Sequence, residues 1–149
     1  EGGSGTDAFS KNMPSFLPER YEAGTLNTPA IVSLCAGIDY IEKIGIENIQ
    51  KHLGALTLRI TDILSSTPYV NIHGAENGIV SFNIGTLNSS LVSEHLNKYG
   101  IATRSGYHCA PLVHKKMGTE KSGAVRISLS YLNSINECDQ LYHALKALI

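Results

Sequence analysis

The chain has 149 residues, with 12 Lys and Arg against 13 Asp and Glu, six His and a formal net charge of −1. That balance excludes the basic excess by which a nucleic-acid binder displaces phosphate counterions, and no apolar run approaches the roughly 20 residues of a membrane-spanning helix. With 42% hydrophobic and 17% charged residues the composition is that of a folded domain, and three cysteines are too few and odd in number for a disulfide scaffold, which points to a reducing, cytoplasmic setting.

The opening Glu1-Gly2-Gly3-Ser4-Gly5 has neither the basic nor the apolar region of a signal peptide. Residues 1–28 scatter Gly24, Pro14 and Pro18 among polar residues without periodicity and read as an irregular lead-in. A body follows over residues 29–149. Thr28 before Pro29 predicts a helix N-cap, and Ile31, Leu34, Cys35, Ile38 and Ile41 recur at helical spacing as far as Gly45. A second helix carries Ile46, Ile49, Leu53, Leu56, Ile60 and Ile63 on one stripe and ends near Ser65.

The period then changes. Tyr69 to Ile72 predicts a short strand, Asn77-Gly78 a turn, and the alternation of Val80, Phe82 and Ile84 with Ser81 and Asn83 a strand with one buried face. A helix is expected from about Ser89 to Tyr99, then a strand over Ile101 to Arg104 that runs into an irregular segment, 105–112. Residues 124–131 alternate again, with Val125, Ile127, Leu129 and Tyr131 on one face and Arg126, Ser128 and Ser130 on the other. Ser134 and Glu137 form a capping box for a last helix expected to bury Cys138, Leu141, Tyr142, Leu145 and Leu148. The order α-α-β-β-α-β-β-α predicts an α+β domain, a largely antiparallel sheet with helices packed on one face.

The chemistry concentrates in Arg104-Ser105-Gly106-Tyr107-His108-Cys109-Ala110-Pro111. Cysteine attacks only as thiolate, and nearby positive charge favours that form; Arg104 and His108 are candidate sources. Cys35 and Cys138 fall on apolar helical stripes and read as inert core. His108, Cys109 and His114 lack the spacing of a metal site, so none is expected. Arg126 is open between a solvated charge and a two-pronged clamp for a small carboxylate. The run Gly2-Gly3-Ser4-Gly5-Thr6 can offer backbone N–H groups to a phosphate but matches no P-loop or dinucleotide pattern.

Three ordered motifs, Arg104 to Ala110, Gly123-Ala124-Val125-Arg126-Ile127-Ser128, and Tyr131 with Asn133, resemble the C-terminal region of class V aminotransferase-fold cysteine desulfurases, in their group II, SUF-type form. The stretch from Arg20 to Pro29 is similar to another part of the same family, so the resemblance covers nearly the whole chain. It implies the small C-terminal domain of a fold type I enzyme dependent on pyridoxal 5'-phosphate (PLP), with residues 1–28 the edge of a missing cofactor domain. It further implies a homodimer that converts L-cysteine to L-alanine and hands the sulfur to an acceptor protein, as in iron–sulfur cluster assembly. By the same resemblance Cys109 carries the persulfide, Arg126 clamps the substrate carboxylate, Arg104 and His108 lie in the substrate pocket, and Gly3 and Ser4 meet the cofactor phosphate of a neighbouring subunit. The family's Schiff-base lysine has no counterpart among the lysines here, so the chain alone is expected to be inactive. A selenocysteine lyase and a non-catalytic sulfur-relay domain are the alternatives.

Overall fold

The computed structural model describes residues 3, 5–7 and 9–149. They fall into two compact units, residues 1–45 and 46–149, so the first long helix groups with the lead-in. In the first unit Glu19–Tyr21 is a 3-10 turn and α1 spans Thr28–Ile44. Its cap is Asn27, one residue ahead of the expected Thr28, because the Asn27 Oδ1 reaches the Ala30 N–H at 3.1 Å. The apolar period of α1 is present, yet no residue of the helix is buried, and Cys35, expected in a core, is exposed.

The second unit runs α2 (Ile46–Ser65), β1 (Val70–Glu76), β2 (Ile79–Ile84), α3 (Ser89–Lys98), β3 (Arg104–Gly106), α4 (Pro111–Met117), β4 (Ala124–Ser128) and α5 (Ile135–Lys146). The sheet has the order β1-β2-β4-β3, and each neighbouring pair is antiparallel. Val80, Phe82 and Ile84 of β2, with Val125 and Ile127 of β4, project into one core shared with α2, α3 and α5. Phe82 is fully buried there, and burying such a side chain contributes about 1.5–3 kcal/mol.

Local chemistry explains the joints. The β1–β2 hairpin turns at Asn77 and Gly78, both in the left-handed region with φ of 48° and 83°, the pairing that a two-residue hairpin demands. The turn is fastened to α2, since the Gly78 N–H donates to the Thr57 Oγ1 at 2.9 Å. Ser134 and Glu137 cap α5 reciprocally, as expected. In α5, Cys138, Leu141 and Leu145 are buried, whereas Tyr142 lies at the edge of that stripe and is 42% exposed.

Two segments depart from the expected pattern. The strand placed at 101–104 lies instead at Arg104–Gly106, and the segment thought irregular contains α4. Pro111 at its first turn and the left-handed Gly118 just past its end bracket that helix, the usual proline-start and glycine-stop. In addition α4 stands over the opposite, polar face of the sheet: with Ser81, Ala124 and Arg126 of that face it lines a cavity of about 280 Å³.

Candidate functional site

Cys109 is exposed at the tip of the turn between β3 and α4. The Ala110 N–H closes the turn on the Tyr107 carbonyl at 2.8 Å. The two residues between them, His108 and Cys109, have φ of 50° and 62°. A side chain with a Cβ resists this left-handed conformation by about 1–2 kcal/mol, so the surrounding structure must hold the turn. It does so through the Tyr107 hydroxyl, which donates to the Glu120 carbonyl, and through the His108 ring, whose Nε2 lies 3.1 Å from the Ala124 carbonyl oxygen.

That second bond also decides the state of the imidazole. A carbonyl oxygen only accepts, so Nε2 carries the proton and Nδ1 holds a lone pair. Nδ1 is buried and has no protein partner. Burial is the main reason the His108 pKa is held below the ordinary 6.5; the charges of Arg126, His114 and Arg104 push it the same way, against the opposing pull of the Ala124 bond. His108 is therefore neutral near pH 7 and is not the source of positive charge expected beside Cys109.

Arg126 sits mid-β4, with Ser81 opposite it on β2 and Arg104 opposite it on β3. Like charges facing across a ladder are unfavourable, and neither arginine has a carboxylate partner among the described residues. The Arg126 Nε is buried without any hydrogen-bond acceptor. Arg126 lines the 280 Å³ cavity together with His73, Tyr107, His108 and His114. Arg104 is exposed and does not line that cavity. An unanswered donor beside a neutral acceptor in a half-open cavity is suited to a small anion that also carries hydrogen-bond donors.

His73, Tyr107 and His114 were not singled out as pocket residues from the sequence. His73 falls at a bulge in the β1 pairing, between Ile72 and Gly74, and its Nε2 lies 2.5 Å from the Asn83 Oδ1. His114 belongs to α4, with its Nδ1 2.8 Å from the Thr119 Oγ1. The Pro111 and Gly118 helix signals were the available clue to His114; His73 had none. Gly3 belongs to the first unit, where its carbonyl accepts from the Gly24 N–H at 2.6 Å; Ser4 lies outside the described residues. Among the described residues no group of three His, Cys, Asp or Glu is arranged to hold a metal ion, and no helix is long and apolar enough to cross a membrane. Cys138 is buried as expected, its thiol pKa pushed up first by burial and then by Asp139 and Glu137.

Residues 2–141 match the family model for aminotransferase class-V. A probable cysteine desulfurase of Pyrococcus abyssi is 39% identical over 137 residues, covering 89% of this chain and 33% of the relative. A cysteine desulfurase of Cronobacter sakazakii is 36% identical, with 83% of this chain and 30% of the relative covered. The apo structure of the cysteine desulfurase from Thermococcus onnurineus NA1 superposes with a TM-score of 0.81 at 36% identity, over 89% of this chain and 34% of that one. At 20% identity and a TM-score of 0.67, over 85% of this chain and 31% of the other, a C-DES structure with glycine covalently linked to its PLP cofactor shares the fold. The chain thus spans about a third of the length of the curated relatives it matches. With almost its whole length matched by the family model, the chain belongs to the aminotransferase class-V family.

Proposed function

We propose that this chain carries the cysteine-bearing part of a PLP-dependent cysteine desulfurase. Cys109, as thiolate, forms a bond to the sulfur of L-cysteine while the substrate's C–S bond breaks. The sulfur stays on Cys109 as a persulfide, the carbon takes a proton, and L-alanine leaves. The observation that supports this most directly is the buried, unanswered Nε of Arg126, a residue that lines the cavity beside the cysteine turn. It suits the carboxylate of an amino acid, and the His108 Nδ1 lone pair suits a donor on the same ligand. Arg104 adds a second positive charge opposite Arg126 across the ladder.

The cavity suits the substrate rather than the cofactor. No lysine is among its lining residues, so it offers no amine to anchor PLP. We place that anchor in the part of the relatives' length that this chain does not span, with Gly3 and Ser4 reaching the cofactor phosphate of a neighbouring subunit in a homodimer. The SUF-type branch, delivery to an acceptor protein in iron–sulfur cluster assembly, and a cytoplasmic setting belong to the same proposal. A second reading, a sulfur-relay domain that receives its persulfide from a separate donor, draws support from the same lack of a lysine.

The deciding experiment gives L-cysteine and PLP to the full-length protein that carries this segment, and separately to the chain as it stands. The desulfurase reading expects alanine release and a Cys109 persulfide in the first and neither in the second. The relay reading expects no alanine in either, with Cys109 labelled only when a persulfide donor is supplied. A selenocysteine lyase would release alanine from selenocysteine and not from cysteine.

A further inference from the structure

Ser89 is the first residue of α3, behind its Asn88 cap, and is only 2% exposed. It lies outside the residues that line the cavity. Its two polar groups join segments far apart in the chain. The Ser89 N–H, one of the donors that a helix start leaves without an internal partner, donates to the Ser122 carbonyl at 2.8 Å. The Ser89 Oγ accepts from the Gly106 N–H at 3.2 Å. Gly106 ends β3 and is the residue from which the Tyr107–Ala110 turn departs.

The neighbouring glycine shows how tight this junction is. Gly123 has φ of +65°, and a Cβ placed on it would stand 2.6 Å from the Ser89 Oγ and 2.9 Å from the Gly106 Cα. Only a residue without a side chain lets β4 enter the sheet so close to the end of β3. From the other side the buried Asn83 Nδ2 donates to the Gly123 carbonyl at 2.7 Å. Ser89 therefore sits where α3, the exit of β3 and the entry of β4 meet. Without its hydroxyl, Gly106 would keep only the β4 side of its tether, on a three-residue edge strand.

We propose that Ser89 is a positioning residue for Cys109: by holding Gly106 against Ser122 and Gly123 it fixes the point from which the strained cysteine turn departs. The inference rests on Cys109 being the nucleophile. Its effect falls on the aim of the thiol and on the Tyr107 and His108 wall of the cavity, and less on the Arg126 side, which β2 and β4 build by a pairing that does not involve Ser89. A nucleophile displaced by about 1 Å loses up to 10²-fold in rate.

The test is Ser89→Ala, read in two ways. Amide hydrogen exchange on the chain is expected to speed up by about tenfold or more at Gly106 and Ala110, while Val80, Phe82 and Ile127 keep their protection. In the full-length protein, kcat for L-cysteine is expected to fall about tenfold, with a smaller rise in KM because the Arg126 side of the cavity is left in place. Unchanged exchange at Gly106 overturns the tether. Exchange released throughout β2 and β4, or a variant that does not fold, overturns a local positioning role in favour of a global one. An active parent whose Ser89→Ala variant keeps its kcat overturns the link to Cys109. A parent that never turns over cysteine refutes the desulfurase reading instead, and the exchange result still decides the tether.

Discussion

Arg104 and Arg126 stand directly opposite each other on β3 and β4, and no carboxylate of the described chain answers either of them. A fold gains nothing from this arrangement, since like charges across a ladder cost about 0.2–1 kcal/mol. On the function proposed above, the substrate carboxylate answers Arg126, and function and stability are then set against each other at one position.

Arg126→Met keeps an apolar stem in the cavity and removes the charge. In the full-length protein kcat/KM for L-cysteine should fall about 10- to 100-fold, mainly through KM, as expected for one charge-assisted contact of ~1.5–3 kcal/mol made in ground and transition states alike. Thermal unfolding of the same variant should move up by about 1–3 °C, because the repulsion across the ladder is gone. An unchanged KM together with a lower melting temperature would show that Arg126 serves the fold and not a ligand.

The three thiols should separate cleanly by reactivity. Cys35 and Cys109 are exposed and Cys138 is buried. Native-state iodoacetamide, followed by peptide mass spectrometry, should label the first two and spare Cys138 until the chain is unfolded. Cys109→Ser should leave the melting temperature within about 1–2 °C while abolishing persulfide formation, since an exposed surface substitution changes stability by no more than about 0.5 kcal/mol. Early labelling of Cys138 would contradict the core described above.

The hairpin turn offers a test of backbone chemistry. Gly78 has φ of +83°, and an added Cβ would lie 3.1 Å from both the Leu129 carbonyl oxygen and the Leu53 Cδ2. Gly78→Ala should cost about 1–3 kcal/mol in urea unfolding, combining left-handed strain with the clash. Asn77→Gly, which the same turn accepts, should stay within about 0.5 kcal/mol. Equal stabilities for the two variants would refute the turn geometry.

Two groups should each make the chain less stable as the pH falls, in separate windows. His108 resists protonation in the fold, so below its ordinary 6.5 the unfolded chain takes up a proton that the folded one refuses. Stability then declines as the pH falls from 6.5, and His108→Gln should flatten that part of the profile. Glu137 is held below the ordinary 4.5, first by the Ser134 N–H and then by its hydroxyl. Its contribution is complete above 4.5 and is lost as the pH falls through the lowered value, so Glu137→Gln should remove acid sensitivity only in that lower window. Melting temperatures across about pH 3–8 check both, and profiles of the two variants that overlay the parent would refute the assignments.

The elements that the sequence made legible are those whose signal is local. The α2 stripe, the Asn77-Gly78 turn, the β2 alternation and the Ser134/Glu137 capping box each depend on residues a few positions apart, and each is in place, while the β4 alternation expected over 124–131 holds only as far as Ser128. His108 and Arg126, from two separate short motifs, line one cavity, and Cys109 follows His108 in the same turn. Where local signals competed, tertiary context won. Asn27 took the cap from Thr28, α4 replaced an expected loop, and α1 met the helical period without burying any residue.

By itself, then, the sequence determined the antiparallel α+β architecture and the family to which the chain belongs. Only the tertiary structure decided that His108 is neutral, that Arg126 has a buried unanswered donor while Arg104 faces solvent, and that Ser89 reaches Gly106 across seventeen residues of chain. The physical reason is that periodicity records which side of its own element a residue occupies. Charge state, burial of a single atom and the partner of a hydroxyl depend on neighbours brought from elsewhere in the chain, which no local pattern encodes.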